Sequence, residues 1–134
     1  MATKTANDII TRAMKLIRVL GVDDTASTSE LADGLAALQT MVLQWKSQPG
    51  MEDDDHELPT FSTGGGSVTV NDALVEALET NLALQIAPEY GAEVSAYVMA
   101  RARASLRNWR RRIHVTPELE IPFARVAGET FYGL

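Results

Sequence analysis

From Ser27 to Trp45 the chain repeats its large apolar residues at steps that only an α-helix brings to one side, and this stretch limits the fold more than any other. Ser27 and Glu30 have the Ser-x-x-Glu form of a capping box, in which each side chain satisfies a backbone N–H left open at a helix start. Leu31, Leu35, Leu38, Val42 and Trp45 follow in steps of four, three, four and three, and Pro49 and Gly50 stop the pattern. Gly34 inside this helix costs about 1 kcal/mol relative to alanine, which predicts the close approach of another element.

Three further stretches read the same way. Thr5 and Asp8 cap a shorter helix carrying Ile10, Ala13, Met14 and Ile17, with Gly21 as its expected stop. Asn71 or Asp72 caps a third, which carries Val75, Leu78, Leu82 and Ile86 to a boundary at Pro88. Val94, Val98, Ala102, Leu106, Trp109 and Ile113 run without a breaker along a fourth helix of about five or six turns. The expected fold class is all-α, a small four-helix domain over residues 1–113.

Between the second and third helices the period disappears. Residues 49–71 hold the acidic cluster "EDDDHE", the glycine run "TGGGS" and the alternating "SVTV". Most connections in a compact domain run about four to six residues, so this one reads as a long projecting loop arm with a β-hairpin as one form. Residues 114–134 form an extended C-terminal tail, broken by Pro117 and Pro122 and rich in aromatics. Such a terminus either folds back on its own core or docks into a groove on a partner.

Composition narrows the function classes. Apolar residues are 46% and charged residues 22%, ordinary globular values, and no apolar run nears the roughly 18 residues of a spanning helix, so no membrane partner is expected. The start "MATKTANDII" lacks a basic region followed by an apolar core, so it does not read as a secretory signal. The absence of cysteine removes disulfides, thiolate metal sites and cysteine nucleophiles. A formal charge of -6 disfavours nonspecific duplex binding by the chain as a whole.

Against that acidity, "RARASLRNWRRR" at residues 101–112 gathers half of the twelve basic residues. On a helical wheel Ala102, Leu106, Trp109 and Ile113 share an arc about 60° wide. Arg103, Arg107, Arg110 and Arg111 lie side by side on another face, with Arg101 and Arg112 on a third. The bland reading is a solvated face whose charge complements the helix dipole, a contribution of about 0.3 to 1 kcal/mol. The sharper ones are a phosphate-tracking surface or a salt-bridging surface. Asp53, Asp54 and Asp55 in the loop arm offer a complement to it, so adjacent copies of the chain can pair acidic loop with basic helix.

Catalysis is the weaker class. "EDDDHE" supplies hard oxygen ligands but lacks the ligand spacing and turn glycine of an EF-hand loop, and His56 has no second histidine one turn away. "TGGGS" lacks the Lys-Ser/Thr ending of a phosphate loop. Neither His56 nor His114 has an evident serine partner, and nothing among eighteen acidic residues singles out a glycosidase pair. The expectation is no enzyme, no cofactor and no metal, with a cell-wall-degrading activity as a minor alternative.

Three stretches together, "IITRAMKLIRVLGV", "ADGLAALQTMVLQWKSQPG" and "LETNLALQIAPEYGAEVSAYVMARARASL", resemble the tail accessory factor of short-tailed bacteriophages, the head-to-tail adaptor or packaged-DNA stabilisation family. The resemblance covers most of residues 7–112. Its most specific part is "NLALQIAPEYG", where Asn81, Leu82, Ile86, Ala87, Pro88 and Tyr90 match a helix end followed by a new helix start. It implies a structural viral protein made in the host cytoplasm and located in the virion at the head–tail junction. There it forms a ring, usually of twelve copies, under the portal protein after DNA packaging. The ring completes the head, extends the channel through which DNA passes without sequence-specific binding, retains the packaged DNA, and receives downstream tail proteins.

Candidate contacts with neighbouring subunits or the portal are Arg103, Arg107, Arg110 and Arg111, the loop residues Asp53, Asp54 and Asp55, and Phe123, Arg125, Phe131 and Tyr132 of the tail. The alternative is a DNA-binding helical module that uses the arginine-rich fourth helix.

Overall fold

A computed structural model describes residues 1–113. Four helices form the body: α1 (Ala6–Leu16), α2 (Thr28–Ser47), α3 (Asp72–Ile86) and α4 (Ala96–Ile113), with strands β1 (Ala2–Thr5) and β2 (Ser67–Val70) and a 3-10 turn at Ala87–Tyr90. The tail at 114–134, with Phe123, Arg125, Phe131 and Tyr132, lies outside the described residues. The four-helix domain is as the apolar periods predict.

Capping chemistry sets the helix starts. The Asp8 amide donates to Thr5 Oγ1 (3.1 Å) while the Thr5 amide donates to Asp8 Oδ2 (3.0 Å). Ser27 and Glu30 make the same reciprocal pair at 3.2 and 2.8 Å. Asn71 accepts from the Ala73 amide at 3.0 Å, so it rather than Asp72 is the third cap. Each of these bonds satisfies a donor that the first helical turn leaves open.

The end of α1 comes earlier than Gly21. Arg18 takes the left-handed conformation at φ 62°, and the Val19 amide returns to the Met14 carbonyl at 3.0 Å. The chain therefore turns at a residue without glycine's freedom, because Ile17 and Leu20 are both drawn into the core. Gly91 closes the 3-10 turn in the left-handed conformation, at φ 63°.

The most central helix is α3, which packs against α1, α2 and α4, whereas α4 rests chiefly on α3. Ile9, Ile10 and Met14 of α1, Leu38 of α2, and Leu74, Leu78 and Leu82 of α3 are fully buried. Gly34 sits where α1 crosses α2, and a Cβ built on it meets Ile10 Cγ1 at 3.1 Å and Cγ2 closer still. The close approach predicted for that glycine is thus made by Ile10. Leu31 and Leu35, at the start of the α2 stripe, are only half-buried against this core.

The strand expected in the loop arm is present, and its partner is the chain's own beginning. β2 pairs antiparallel with β1, Ala2 opposite Val70 and Thr5 opposite Ser67. Two strands alone are marginal in water, but Val70 is buried and each strand runs directly into a helix. Most of the arm does not project. Met51, Leu58 and Phe61 are buried, Gln39 Nε2 donates to the Phe61 carbonyl at 2.6 Å, and Lys46 Nζ reaches Thr60 Oγ1 at 3.0 Å. Burial of those three side chains lays the segment along the bundle, so solvent faces mainly its acidic turn and its glycine run.

Candidate interaction surface of the arginine helix

The buried face of α4 is formed by Val98, Ala102, Ser105 and Trp109, with Leu106 and Ile113 half-buried beside it. Buried polar groups along the α3–α4 seam are satisfied internally. Thr80 Oγ1 donates to the Glu76 carbonyl at 2.7 Å, and Asn81 Nδ2 donates to the carbonyls of Ala77 (2.9 Å) and Ala102 (3.2 Å). Asn81 therefore ties the main chain of α4 to α3.

The six arginines meet different fates. Arg101 binds the Glu76 carboxylate of α3 through both Nε and Nη2, and its guanidinium lies 5.9 Å from the ring centroid of the exposed Tyr97. Arg110 donates from Nη2 to Gln48 Oε1 at 3.0 Å and directs Nε at Met51 Sδ, 3.2 Å away. Arg103 and Arg107 are exposed, one turn apart, with no ion-pair partner among the described residues. Arg111 faces a cleft between α3 and α4 that Arg112 also lines, so the wheel's grouping of Arg111 with Arg103, Arg107 and Arg110 describes direction and not surroundings.

Loop arm and arginine helix meet within the one chain, but not as carboxylate–guanidinium pairs. Trp109 is fully buried and its indole N–H donates to the Met51 carbonyl at 2.8 Å. The His56 ring stands edge-on to Trp109, with centroids 5.8 Å apart. Asp53 turns inward on its own loop, accepting from the amides of Asp55 (2.9 Å) and His56 (2.7 Å) and lying 3.0 Å from His56 Nδ1. Desolvation works against its charge, but the His56 side chain and these two amides outweigh it and hold Asp53 below the usual carboxylate range. Asp54 and Asp55 are exposed and border a shallow depression near Pro59 and Thr69.

Sequence reasoning missed the Trp109–Met51 bond, since its acceptor is a backbone carbonyl that no residue pattern marks. It also missed Glu76, whose placement opposite Arg101 emerges only once α3 and α4 are docked. A half-buried carboxylate, Glu79, lies nearby on α3; burial raises it above the usual carboxylate range, Lys4 and Arg12 oppose the rise, and Glu76 adds to it.

Among the described residues no three His, Asp or Glu side chains come together to hold a metal ion, and no helix is long and apolar enough to cross a membrane. A scan against models of known protein families matches none of them, and a search of curated proteins finds no relative.

Proposed function

We propose that this chain is a structural head-to-tail adaptor of a phage connector, a ring subunit that binds beneath the portal, extends the DNA channel and receives tail proteins. The observation that carries the reading is the ordered resemblance of three stretches, centred on "NLALQIAPEYG". Those residues form one junction: Leu82, Ile86 and Ala87 are buried, Asn81 anchors α4, and Pro88 and Tyr90 belong to the 3-10 turn that redirects the chain into α4. A subunit of a closed ring must present two different patches, one to each neighbour. Exposed Arg103 and Arg107 on one face, and exposed carboxylates elsewhere on an acidic chain, suit such a contact. Net acidity also suits a conduit, because a basic lumen retains DNA through its phosphates.

The test is DNA retention. Filled heads assembled without the protein lose DNA to added nuclease, and addition of the purified chain restores protection. Heads that keep their DNA equally well with and without it overturn the proposal.

A second reading, a DNA-binding helical module, draws on the exposure of Arg103 and Arg107. It predicts duplex affinity that falls steeply with salt and disappears on reversal of those two charges. No duplex binding at low salt eliminates it.

A further inference from the structure

The α3–α4 seam opens at the far end of α4 into a cleft of about 400 Å³, walled by Asp72 and Glu76 from α3 and by Ser105, Asn108, Arg111 and Arg112 from α4. Both signs of charge are present, but they are not equally committed. Glu76 is held by Arg101 from the next turn of α4, and Asp72 Oδ2 lies 3.2 Å from the Met1 ammonium. Arg111 and Arg112 have no hydrogen-bond or ion-pair partner among the described residues, and Asn108 adds a neutral amide between them. The two carboxylates of the cleft are therefore each paired with a cation, while Arg111 and Arg112 line it with no such partner among the described residues. Asp72 and Ala73 of the first turn of α3, a 15-residue helix, line one side of the cleft and the last turn of α4 lines the other, so the two helix dipoles oppose each other there.

We infer that this cleft is a binding site for a carboxylate side chain of a partner protein, taken between Arg111 and Arg112. A carboxylate presents two coplanar oxygens that match a guanidinium fork, and each such bond is charge-assisted. A phosphate tract fits less well. It brings several charges toward Asp72, Glu76 and a chain of net charge -6, whereas a single carboxylate brings one. The assignment rests on the chemistry of the cleft and not on the adaptor reading, and it sets Arg111 apart from the equally exposed Arg103 and Arg107 by the cleft that Arg111 lines.

The probe is a short peptide with blocked ends and one glutamate among neutral residues, titrated at fixed ionic strength into the full chain while the arginine Nε–Hε and asparagine amide NMR signals are followed. Saturable shifts at Arg111, Arg112 and Asn108, with only slight linear drift at Arg103 and Arg107, are expected. R111Q/R112Q lowers the affinity at least about tenfold, the scale of one lost charge-assisted contact, and R103Q/R107Q leaves it nearly unchanged. The map on the unaltered chain stands whether or not the variants fold. Shifts spread evenly over all the arginines overturn the assignment, as does the absence of a saturable response. Inorganic phosphate that saturates the cleft more tightly than the single-glutamate peptide also overturns it, in favour of a phosphate site.

Discussion

Replacement of Trp109 by phenylalanine isolates the bond that fastens the loop arm to the arginine helix. The substitution keeps an aromatic ring in a fully buried position but removes the indole N–H that donates to the Met51 carbonyl at 2.8 Å. Met51 is itself fully buried, so water does not readily replace the lost donor. A buried acceptor left without a partner costs about 1–3 kcal/mol, and the smaller ring adds a cavity contribution at the lower end of the core-truncation range. The expected loss is about 2–4 kcal/mol, somewhat less than the 3–5 kcal/mol typical of complete truncation to alanine. For a domain of this size that lowers Tm by roughly 6–15 °C. Urea denaturation followed by circular dichroism measures the loss, and amide exchange locates it. The amides of His56 and Leu58, held by Asp53 and Glu52, lose protection first, while those of α1 keep theirs. If W109F unfolds at the parent's urea midpoint and the loop amides exchange at the parent's rate, the indole bond does not anchor the arm.

Other perturbations probe the body and the surface. Gly34→Ala is expected to destabilise by about 1–3 kcal/mol despite alanine's better helix propensity, because its Cβ collides with the γ carbons of Ile10; Ile10→Ala removes both of those atoms, so in a thermal melt the double variant loses less than the sum of the two single losses. Glu79→Gln raises Tm at neutral pH. Burial holds the Glu79 carboxyl above its ordinary range, so its stabilising effect is full in acid and declines as pH rises through that range toward the raised value; parent and variant melts converge in acid. R103E/R107E leaves stability within about 0.5 kcal/mol, since both side chains are exposed, and abolishes ring formation on the portal, as read by sedimentation of the mixture.

The parts of the fold legible in the sequence are those governed by local rules. Both capping boxes and the Asn71 cap depend on residues within three positions of each other, and the apolar periods depend on one helix at a time. Pairings over long separations were not legible. "ATKT" carries no alternation of apolar and polar residues, so nothing marks Ala2–Thr5 as the partner of Ser67–Val70. Met51, Leu58 and Phe61 are separated by the polar run Glu52 to Glu57 and by Pro59, with no apolar residue between them to complete a period, which is why a segment packed on the bundle reads as a projecting arm. On the candidate surface, the wheel gives each arginine a direction, but Glu76, Gln48 and the cleft at Arg111 decide what each one meets.

Electron microscopy of the purified chain mixed with its portal tests the adaptor claim most directly. An added ring of density beneath the portal is expected, of twelve subunits as the resemblance implies, with the four-helix body fitting each subunit. Portal particles that carry no added density at saturating protein contradict it.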